Sequence, residues 1–257
     1  MLYFFWWCIL NKSVHELLFE LSSKGFKSYI VGGYVRDLLL GFDNYDLDIV
    51  TNAPVDIILD IFIKYNPVKL KYNTIKFKYN EYDVDIAQIR SETFKNGKVI
   101  INYTNNLQED YLRRDFTFNA IYMDQDSKIY DFDHCVNDLN SLKLKFISDP
   151  NAKCIEDPTR ILRAIYFILK YGIKSYDDLI SINITLDQFK NCDVNALNKC
   201  IYKILKLNKN EEFVNLLNKL NIYNYIFTKN SNNYYLKPID FLHQFGYVYI
   251  DSIINNN

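Results

Sequence analysis

The 257-residue sequence has little of what builds a disulfide or metal framework. Its five cysteines, at positions 8, 135, 154, 192 and 200, include no Cys-x-x-Cys pair. This scatter indicates neither a zinc site nor a disulfide scaffold and is typical of a reducing compartment. Its three histidines, His15, His134 and His243, lie far apart and none precedes an aspartate. The sequence therefore lacks a phosphohydrolase His-Asp dyad.

Membrane-spanning runs and linkers are also missing. The apolar run from Leu2 to Leu10 is too short to span a membrane and has neither a basic leading region nor a small-residue cleavage site. We expect it to pack on the core or on a partner. No proline- or serine-rich linker divides the chain, and an apolar fraction of 49% argues against disorder. We expect a cytoplasmic protein without membrane association, an organellar location staying open, and find no sequence signal for an oligomeric state.

The charges are distributed unevenly although the net charge is only −1. Residues 1–150 carry 17 Lys or Arg against 21 Asp or Glu, whereas residues 151–257 carry 13 against 10. An acidic first part and a mildly basic second part fit RNA bound along the second part. Lys199, Lys203 and Lys206 also share a face of one predicted helix. Solvated lysines on an amphipathic helix are the commoner explanation of such a face.

The spacing of apolar residues predicts an α+β part over residues 1–145 and an all-α part over residues 146–257. Strands are predicted at 29–31, 46–48, 74–78, 82–89, 121–123 and 128–131, and helices at 38–40, 55–63, 158–171, 176–182, 194–207 and 211–220. The dipeptide Asn80-Glu81 predicts the turn of a hairpin. Residues 91–108 have few periodic features and predict a mobile loop, with or without a small hairpin of its own. Residues 231–257 are aromatic and asparagine-rich, and we expect their polar end to fray.

The most informative motif joins a glycine turn to two aspartates. Gly32 and Gly33 follow a short apolar strand and begin a helix that carries Arg36. Glycines let the backbone approach a phosphate, and a helix N-terminus offers unpaired N–H donors to an anion. Asp46 and Asp48 are alternate residues of a strand, so their carboxylates share a face and suit Mg²⁺ held together with substrate phosphates. The alternative is a surface strand with two solvated aspartates beside an ordinary turn.

Four motifs occur in the order found in the class II tRNA nucleotidyltransferase and bacterial poly(A) polymerase family, which the chain resembles over roughly residues 25–172. The matching residues are Gly32-Gly33-x-x-Arg36-Asp37 with Gly41, Asp46-x-Asp48 and Thr51; Arg113-Arg114-Asp115-Phe116-Thr117-Phe118-Asn119-Ala120; Asp131 to Asp138-Leu139; and Glu156-Asp157-Pro158-Thr159-Arg160-Ile161-Leu162-Arg163. Residues after Gly172 match no family pattern.

The resemblance implies a nucleotidyltransferase head, with a mixed or antiparallel sheet and flanking helices, followed by an all-α neck and a body that is short for the family. It implies transfer of CMP or AMP from CTP or ATP to the 3′ end of tRNA, as in CCA addition or repair. Asp46 and Asp48 are then catalytic and bind two Mg²⁺ ions. Asp85, five residues before Arg90, is the candidate third acidic group, where the family more often has Glu. A solvated aspartate at a sheet edge is an equally good explanation of Asp85.

The resemblance also implies the nucleotide-binding residues. It assigns the triphosphate to Gly32, Gly33, Arg36 and Arg114, the sugar to the region of Asp115, and the base to Asp157, Arg160 and Arg163. Guanidinium groups bind phosphate oxygens in a bidentate manner, and a carboxylate accepts from ribose hydroxyls. The alternative for the arginine-rich motif is a surface ion-pair cluster. The alternative for Asp157 and Pro158 is an N-cap followed by the first helical residue.

The assignment of the base has a hydrogen-bond rationale. Cytosine and adenine each present an amino donor beside a ring-nitrogen acceptor, so an accepting Asp157 and a donating Arg160 serve both bases. Uracil and guanine meet the arginine donor-to-donor, leaving buried polar groups unpaired at a cost of about 1–3 kcal/mol each. Because the helix over 158–171 is apolar almost all round, we expect Arg160 and Arg163 to be buried and to need a base as partner.

Two residues depart from the family pattern. Tyr166 stands where the family often has an arginine, and Asn73 stands where a glycine is usual. The segment 71–75 also lacks the basic Gly-Arg-Arg-Phe stretch of bacterial poly(A) polymerases, which favours tRNA as the substrate. CC-only, A-only and poly(A) addition stay open as alternatives. A catalytically inactive RNA-binding module of the same fold is the alternative outside enzymes.

Overall fold

The computed structural model describes residues 10–95, 98–183, 185, 192–223, 227–230 and 233–236. The chain forms two compact units, Met1–Ser141 and Leu142–Asn257, compared with the predicted division after residue 145. Within the described ranges no helix is long and apolar enough to cross a membrane. Of the apolar run at 2–10 only Leu10 is described, and it is buried. Apart from 233–236, the predicted C-terminal stretch 231–257 lies outside the described residues.

The first unit is a mixed α/β structure. Its elements are α1 (Lys12–Ser22), β1 (Ser28–Val31), α2 (Gly33–Leu40), β2 (Asp46–Thr51), α3 (Val55–Ile61), β3 (Val68–Lys69), β4 (Ile75–Tyr79), β5 (Tyr82–Gln88), β6 (Arg90–Lys95), β7 (Lys98–Tyr103), α4 (Leu107–Leu112), β8 (Tyr122–Met123), β9 (Ile129–Tyr130) and α5 (Cys135–Asn140). Short 3-10 turns cover Ile63–Tyr65, Lys71–Asn73 and Thr117–Asn119. Seven strands form one sheet in the order β3-β4-β5-β2-β1-β8-β9. Only the central pair β2 and β5 is parallel, which confirms the expected mixed sheet with flanking helices.

The register of the central strands places their charged residues on one face. Asp46 and Asp48 of β2 lie beside Asp83 and Asp85 of β5, respectively. Leu47, Ile49 and Val84 alternate with them and are buried on the opposite face. Alternation of this kind fixes the register, because a slip by one residue would bury the carboxylates.

Helix α2 is short because glycines bound it at both ends. Gly32 precedes the helix with a φ of 80°, and Gly41 ends it in the left-handed conformation with a φ of 77°. A residue with a side chain rarely adopts these angles. Residues 41–45 then form a short loop between the end of α2 and the start of β2.

The segment predicted as a loop, with or without a small hairpin, contains that hairpin. Strands β6 and β7 pair antiparallel from Arg90 opposite Tyr103 to Lys95 opposite Lys98, as a separate two-stranded sheet. Apolar periodicity could not decide whether the hairpin forms, because this hairpin exposes most of its side chains, including Phe94, Val99 and Ile100. Its tip, residues 96–97, lies outside the described residues.

The second unit is built around helix α7. Its elements are α6 (Pro150–Glu156), α7 (Thr159–Tyr171), α8 (Asp177–Ile180), α9 (Val194–Leu205), α10 (Asn210–Lys219), β10 (Phe227–Asn230) and β11 (Asn233–Leu236). Helix α7 packs against α6, α9 and α10. Gly172 ends α7 in the left-handed conformation, as its position predicted. The antiparallel pair β10–β11 corrects the expectation that this part is purely helical.

Candidate active site

The paired aspartates of β2 form the centre of the candidate site. Asp46 and Asp48 are both exposed, on the sheet face opposite the apolar core. Surrounding protein atoms partly desolvate the carboxyl of Asp48 and raise its pKa, and repulsion from Asp85 and Asp46 raises it further. The charges of Arg114 and Lys76 oppose this rise. A bound cation would therefore stabilise the ionised carboxylates by offsetting their mutual repulsion.

Two lysines of β4 extend the same charged face. Lys76 lies beside Asp85 in the sheet and pairs with its carboxylate at 3.1 Å, and Lys78 pairs with Asp83 at 3.5 Å. Asp85 thus lies next to Asp48, but a lysine already contacts it. Asp83 has the same kind of partner.

The donor set at the β2 aspartates is incomplete by itself. In the described part of the chain, no three His, Cys, Asp or Glu side chains group as a metal site. Asp46 and Asp48 supply two hard oxygen ligands, which is what Mg²⁺ uses when phosphates and waters complete its shell. The chemistry of these donors therefore fits Mg²⁺.

The glycine turn lies directly against these carboxylates. A Cβ atom at Gly32 would lie 3.2 Å from Asp48 Oδ2. A Cβ atom at Gly33 would lie 3.1 Å from Asn44 Nδ2. The backbone of the turn can therefore come close to Asp48 because Gly32 lacks a side chain, and close to Asn44 because Gly33 lacks one.

Arg36, the predicted phosphate ligand, lies beside the glycine turn, where a Cβ atom at Gly33 would be 3.6 Å from its Nη2. The residue is 5% exposed, its Nε donates to Asp37 Oδ1 at 3.0 Å, and its Nη1 donates to Asn119 Oδ1. Asn44 Nδ2 donates to the other oxygen of Asp37 at 2.7 Å, and Asn44 Oδ1 accepts from the Asp46 N–H at 2.8 Å. Arg36 thus belongs to a polar network beneath the turn that leads to the first residue of β2.

Arg114 is the arginine whose charge reaches the aspartates. It lowers the pKa of Asp48, so the two charged groups interact. Its Nη2 donates to Asp110 Oδ2 at 2.7 Å, and its Nε donates to the Tyr122 hydroxyl at 2.8 Å. Despite the desolvation of the guanidinium, Tyr122 and Asp110 raise the pKa of Arg114. The Arg114 guanidinium is therefore a cation that Asp110 and Tyr122 hold in place, and its charge acts on Asp48.

Asp115 and the third motif are embedded in the same region. Asp115 is buried, and its Oδ1 accepts from the Phe116 N–H at 2.8 Å and from Asn119 Nδ2 at 3.2 Å. Asp131 caps α5 by accepting from the Cys135 N–H at 2.7 Å. Asp138 of α5 accepts from the Thr117 hydroxyl at 2.8 Å. The third motif thus supports the segment that follows Asp115.

In the second unit, Asp157 acts as the predicted helix cap. Its Oδ1 accepts from the N–H of Thr159 at 3.0 Å and from the Thr159 hydroxyl at 2.6 Å. These bonds satisfy donors at the first turn of α7. One carboxylate oxygen is used in this way.

The prediction that Arg160 and Arg163 are buried was wrong. Arg160 is half-buried, and its Nη1 donates to the Lys153 carbonyl at 2.6 Å and to Glu156 Oε2 at 2.8 Å. Arg163 is exposed, as is Lys170 further along α7. The helix therefore carries these cations on a polar side that is open to solvent.

The structure explains one of the two departures from the family pattern. Asn73 has a φ of 54°, in the left-handed region where a glycine would be favourable, and asparagine tolerates this region better than most residues. Tyr72 also has a positive φ of 58°, and its ring lies 5.2 Å from the Arg90 guanidinium. Tyr166, the other departure, packs edge-on against Phe167.

Several residues that contact the predicted site residues were not identified from the sequence. Among them are Asn44, Asp110, Lys76 and Tyr122. A signal existed for Asp110, because it lies three and four residues before Arg113 and Arg114, the spacing of helical ion pairs. Asn44 lies in the loop before β2 and contacts Asp46 from there. Lys76 contacts Asp85 because the two residues lie opposite each other in neighbouring strands.

Comparisons with known proteins agree with this fold. Residues 28–145 match the family model described as "Poly A polymerase head domain". The chain is 30% identical over 215 residues to the CCA-adding enzyme of Staphylococcus epidermidis, covering 82% of this chain and 54% of that protein. It is 33% identical over 176 residues to poly(A) polymerase I of Haemophilus influenzae, covering 62% and 38%. A crystal structure of the Bacillus stearothermophilus CCA-adding enzyme in complex with CTP superposes with a TM-score of 0.71 at 24% identity, covering 80% and 51%.

The fold and the sequence matches define the class as a protein with a poly(A) polymerase-type nucleotidyltransferase head. The chain is similar to CCA-adding enzymes and to poly(A) polymerases, and its residues 28–145 match the head-domain family model. It spans about half the length, or less, of the curated relatives it matches. The structural match at this identity concerns the fold.

Proposed function

We propose that the protein is a template-independent RNA nucleotidyltransferase that adds CMP and AMP from CTP and ATP to the 3′ end of tRNA. The observation that carries the proposal is the contact between the glycine turn and the paired aspartates. Asp48 lies where any side chain at Gly32 would meet it, so a phosphate held at the turn lies beside the carboxylates. The relatives named as CCA-adding enzymes support CCA addition or repair as the reaction.

Asp46 and Asp48 are the residues that hold Mg²⁺ in this proposal, and two ions are involved. When bound, these ions supply Lewis-acid stabilisation of charge on the attacking 3′ oxygen and on the leaving pyrophosphate. Asp85 contributes negative charge beside Asp48 and stays paired with Lys76. The reaction needs no histidine as general base.

The triphosphate is bound by the turn at Gly32 and Gly33 and by Arg114. Arg36 supports the turn from beneath instead of contacting phosphate, because it is buried and bonded to Asp37 and Asn119. Asp115 positions the residues near the sugar through its bonds to the following backbone and to Asn119.

Asp157 and Arg160 select the base, with Arg163 beside them on α7. One oxygen of Asp157 caps the helix, which leaves the other as an acceptor for an amino group. Arg160 is held by Glu156 and the Lys153 carbonyl, which reduces the entropy lost when its guanidinium donates to a base.

Replacing Asp46 tests the metal role. Asp46→Asn removes one ligand charge and should reduce nucleotide incorporation by about a thousandfold or more, because the charge stabilisation amounts to several kcal/mol. The matched control is Asp83→Asn, which removes a carboxylate from the same sheet face and should leave activity within about threefold. The assay measures labelled CTP and ATP incorporated into tRNAs that end before CCA, after CC, or complete. Full activity of Asp46→Asn would contradict the proposal.

Poly(A) addition is the second candidate, because poly(A) polymerase I of H. influenzae is among the relatives. The same three tRNAs separate the candidates. CCA addition gives products of defined length from each incomplete tRNA and none from the complete one. Poly(A) addition extends all three with ATP alone, and an inactive RNA-binding module extends none.

Replacing Arg160 tests the base selection. Arg160→Ala should reduce the preference for CTP and ATP over UTP by about tenfold or more, because the donor that rejects uracil is lost. Lys170→Ala is the control, since Lys170 is an exposed cation of the same helix. The ratio of kcat/KM for CTP and UTP is the measurement, and an unchanged ratio would refute the assignment.

A further inference from the structure

Two adjacent arginines, Arg113 and Arg114, donate hydrogen bonds to one buried carboxylate, that of Asp110 in α4. Asp110 has no exposed surface. Its Oδ2 accepts from Arg114 Nε at 3.0 Å and from Arg114 Nη2 at 2.7 Å, and its Oδ1 accepts from Arg113 Nε at 2.8 Å. The two oxygens thus bind different arginines.

Tyr122 completes the hold on Arg114. Its hydroxyl donates to Asp110 Oδ2 at 2.9 Å and accepts from Arg114 Nε at 2.8 Å, and its ring centroid lies 5.1 Å from the guanidinium carbon. Nε and Nη2 of Arg114 are therefore occupied by protein acceptors. Its Nη1 forms no hydrogen bond within the described part of the chain, so this nitrogen can donate to an incoming anion.

Arg113 is directed elsewhere. Its Nη1 lies 3.6 Å from Glu92 Oε1 of β6, and the same oxygen accepts from Arg90 Nε at 2.9 Å. Arg90 Nη1 donates to the Tyr72 carbonyl at 3.2 Å. Asp110 thus separates the roles of two neighbouring arginines: Arg113 joins the hairpin, and Arg114 interacts with Asp48.

The carboxylate of Asp110 stays charged in this environment. Burial by itself raises its pKa, but the charges of Arg114 and Arg113 outweigh the burial and hold the pKa below its usual value. A buried carboxylate persists only when its partners compensate for the loss of water, as both oxygens are compensated here. A long arginine side chain fixed in this way binds an anion without first losing its conformational freedom.

We propose that Asp110 is a positioning residue that holds Arg114 ready for the triphosphate. The proposal rests on the proposed function for the identity of the anion. It assigns Asp110 no contact with the nucleotide, so its whole effect on nucleotide binding passes through Arg114.

A double-mutant cycle tests this dependence. CTP binding in the presence of Mg²⁺ is measured by calorimetry for the wild-type protein, Asp110→Asn, Arg114→Ala and the double variant. Asp110→Asn and Arg114→Ala should each weaken binding by about ten- to a hundredfold, the range for a lost hydrogen bond to a charged group. The double variant should bind no more weakly than Arg114→Ala, because removal of Arg114 leaves Asp110 nothing to position.

Two further variants keep the test decisive if Asp110→Asn does not fold. Tyr122→Phe removes only the hydroxyl shared by Asp110 and Arg114 and should weaken CTP binding about three- to tenfold, again without further loss in an Arg114→Ala background. Glu92→Gln touches Arg113 and Arg90 but not Arg114, and should leave the affinity within about twofold. In kinetics, Asp110→Asn should raise KM for CTP more than it lowers kcat.

Two results would overturn the proposal. Additive losses in the cycle would indicate that Asp110 has a general structural role, and wild-type affinity of Asp110→Asn would indicate that it has no role in binding. Incorporation by the wild-type protein is measured separately. A wild-type protein that binds CTP but extends no RNA would contradict the proposed function, while the cycle would still decide the role of Asp110.

Discussion

Two glycines of the first unit have positive φ angles but different surroundings. Gly32 has a φ of 80°, and a Cβ atom there would lie 3.2 Å from Asp48 Oδ2. Gly41 has a φ of 77°, and no atom lies within 4 Å of the corresponding position. Conformational freedom is needed at both residues, whereas space beside a functional group is needed only at Gly32.

This difference predicts different effects of the same substitution. Gly32→Ala and Gly41→Ala should each lower the free energy of unfolding by about 1–2 kcal/mol, because alanine is strained at positive φ. Only Gly32→Ala should also reduce nucleotide incorporation strongly, by about a hundredfold, since its methyl group displaces Asp48. Denaturant unfolding and the incorporation assay measure the two effects. Equal losses of activity in both variants would show that strain alone matters.

At the scale of elements, the helix that precedes β1 shows how packing stabilises the first unit. Helix α1 buries Val14, Leu17, Leu18 and Leu21 along one side. Asn11 caps it by accepting from the Ser13 N–H at 2.9 Å. The sequence analysis assigned no element here, although an apolar residue every three or four positions after an N-cap asparagine is a helix signal.

Truncation of two neighbouring residues of α1 should lower the free energy of unfolding by very different amounts. Leu18 is fully buried, so Leu18→Ala should cost about 2–5 kcal/mol of unfolding free energy through lost burial and a cavity. Phe19 is 56% exposed, so Phe19→Ala should cost less than about 1 kcal/mol. Urea unfolding of both variants, followed by circular dichroism, is the measurement. A cost for Phe19→Ala equal to that of Leu18→Ala would contradict the packing described for α1.

Elements with a strong local pattern were predictable, and the partners of buried charges were not. The alternation Asp46-Leu47-Asp48-Ile49 predicted which face of β2 holds the carboxylates. On α7 eight of the 13 residues are buried, while Arg163 and Lys170 are exposed, so the overall apolar content overestimated the burial of Arg163. The partners of Arg36 and Arg114, such as Asn119 and Tyr122, depend on the tertiary fold, which spacing along the chain does not reveal.

At the scale of the whole molecule, the uneven charge distribution bears on RNA binding. The second part of the sequence has 13 basic against 10 acidic residues, and the first part has an acidic excess. Lys199 and Lys203 are exposed on α9, and Lys206 is exposed just after it. The apolar residues Leu197, Ile201 and Ile204 are buried on the other side of this helix. The three lysines are thus available to phosphates, and equally to water.

The salt dependence of RNA affinity separates these two explanations. If the lysines contact phosphates, Lys199→Ala, Lys203→Ala and Lys206→Ala combined should lower the slope of log K against log salt by about two to three, because each phosphate contact releases about one counterion. The matched control combines Lys12→Ala, Lys24→Ala and Lys69→Ala, which removes the same charge from exposed positions of the first unit. Binding of a tRNA lacking its CCA end is measured over a salt series. Equal slopes for the two triple variants would mean that these lysines are merely solvated, because charge loss alone then accounts for any change in affinity.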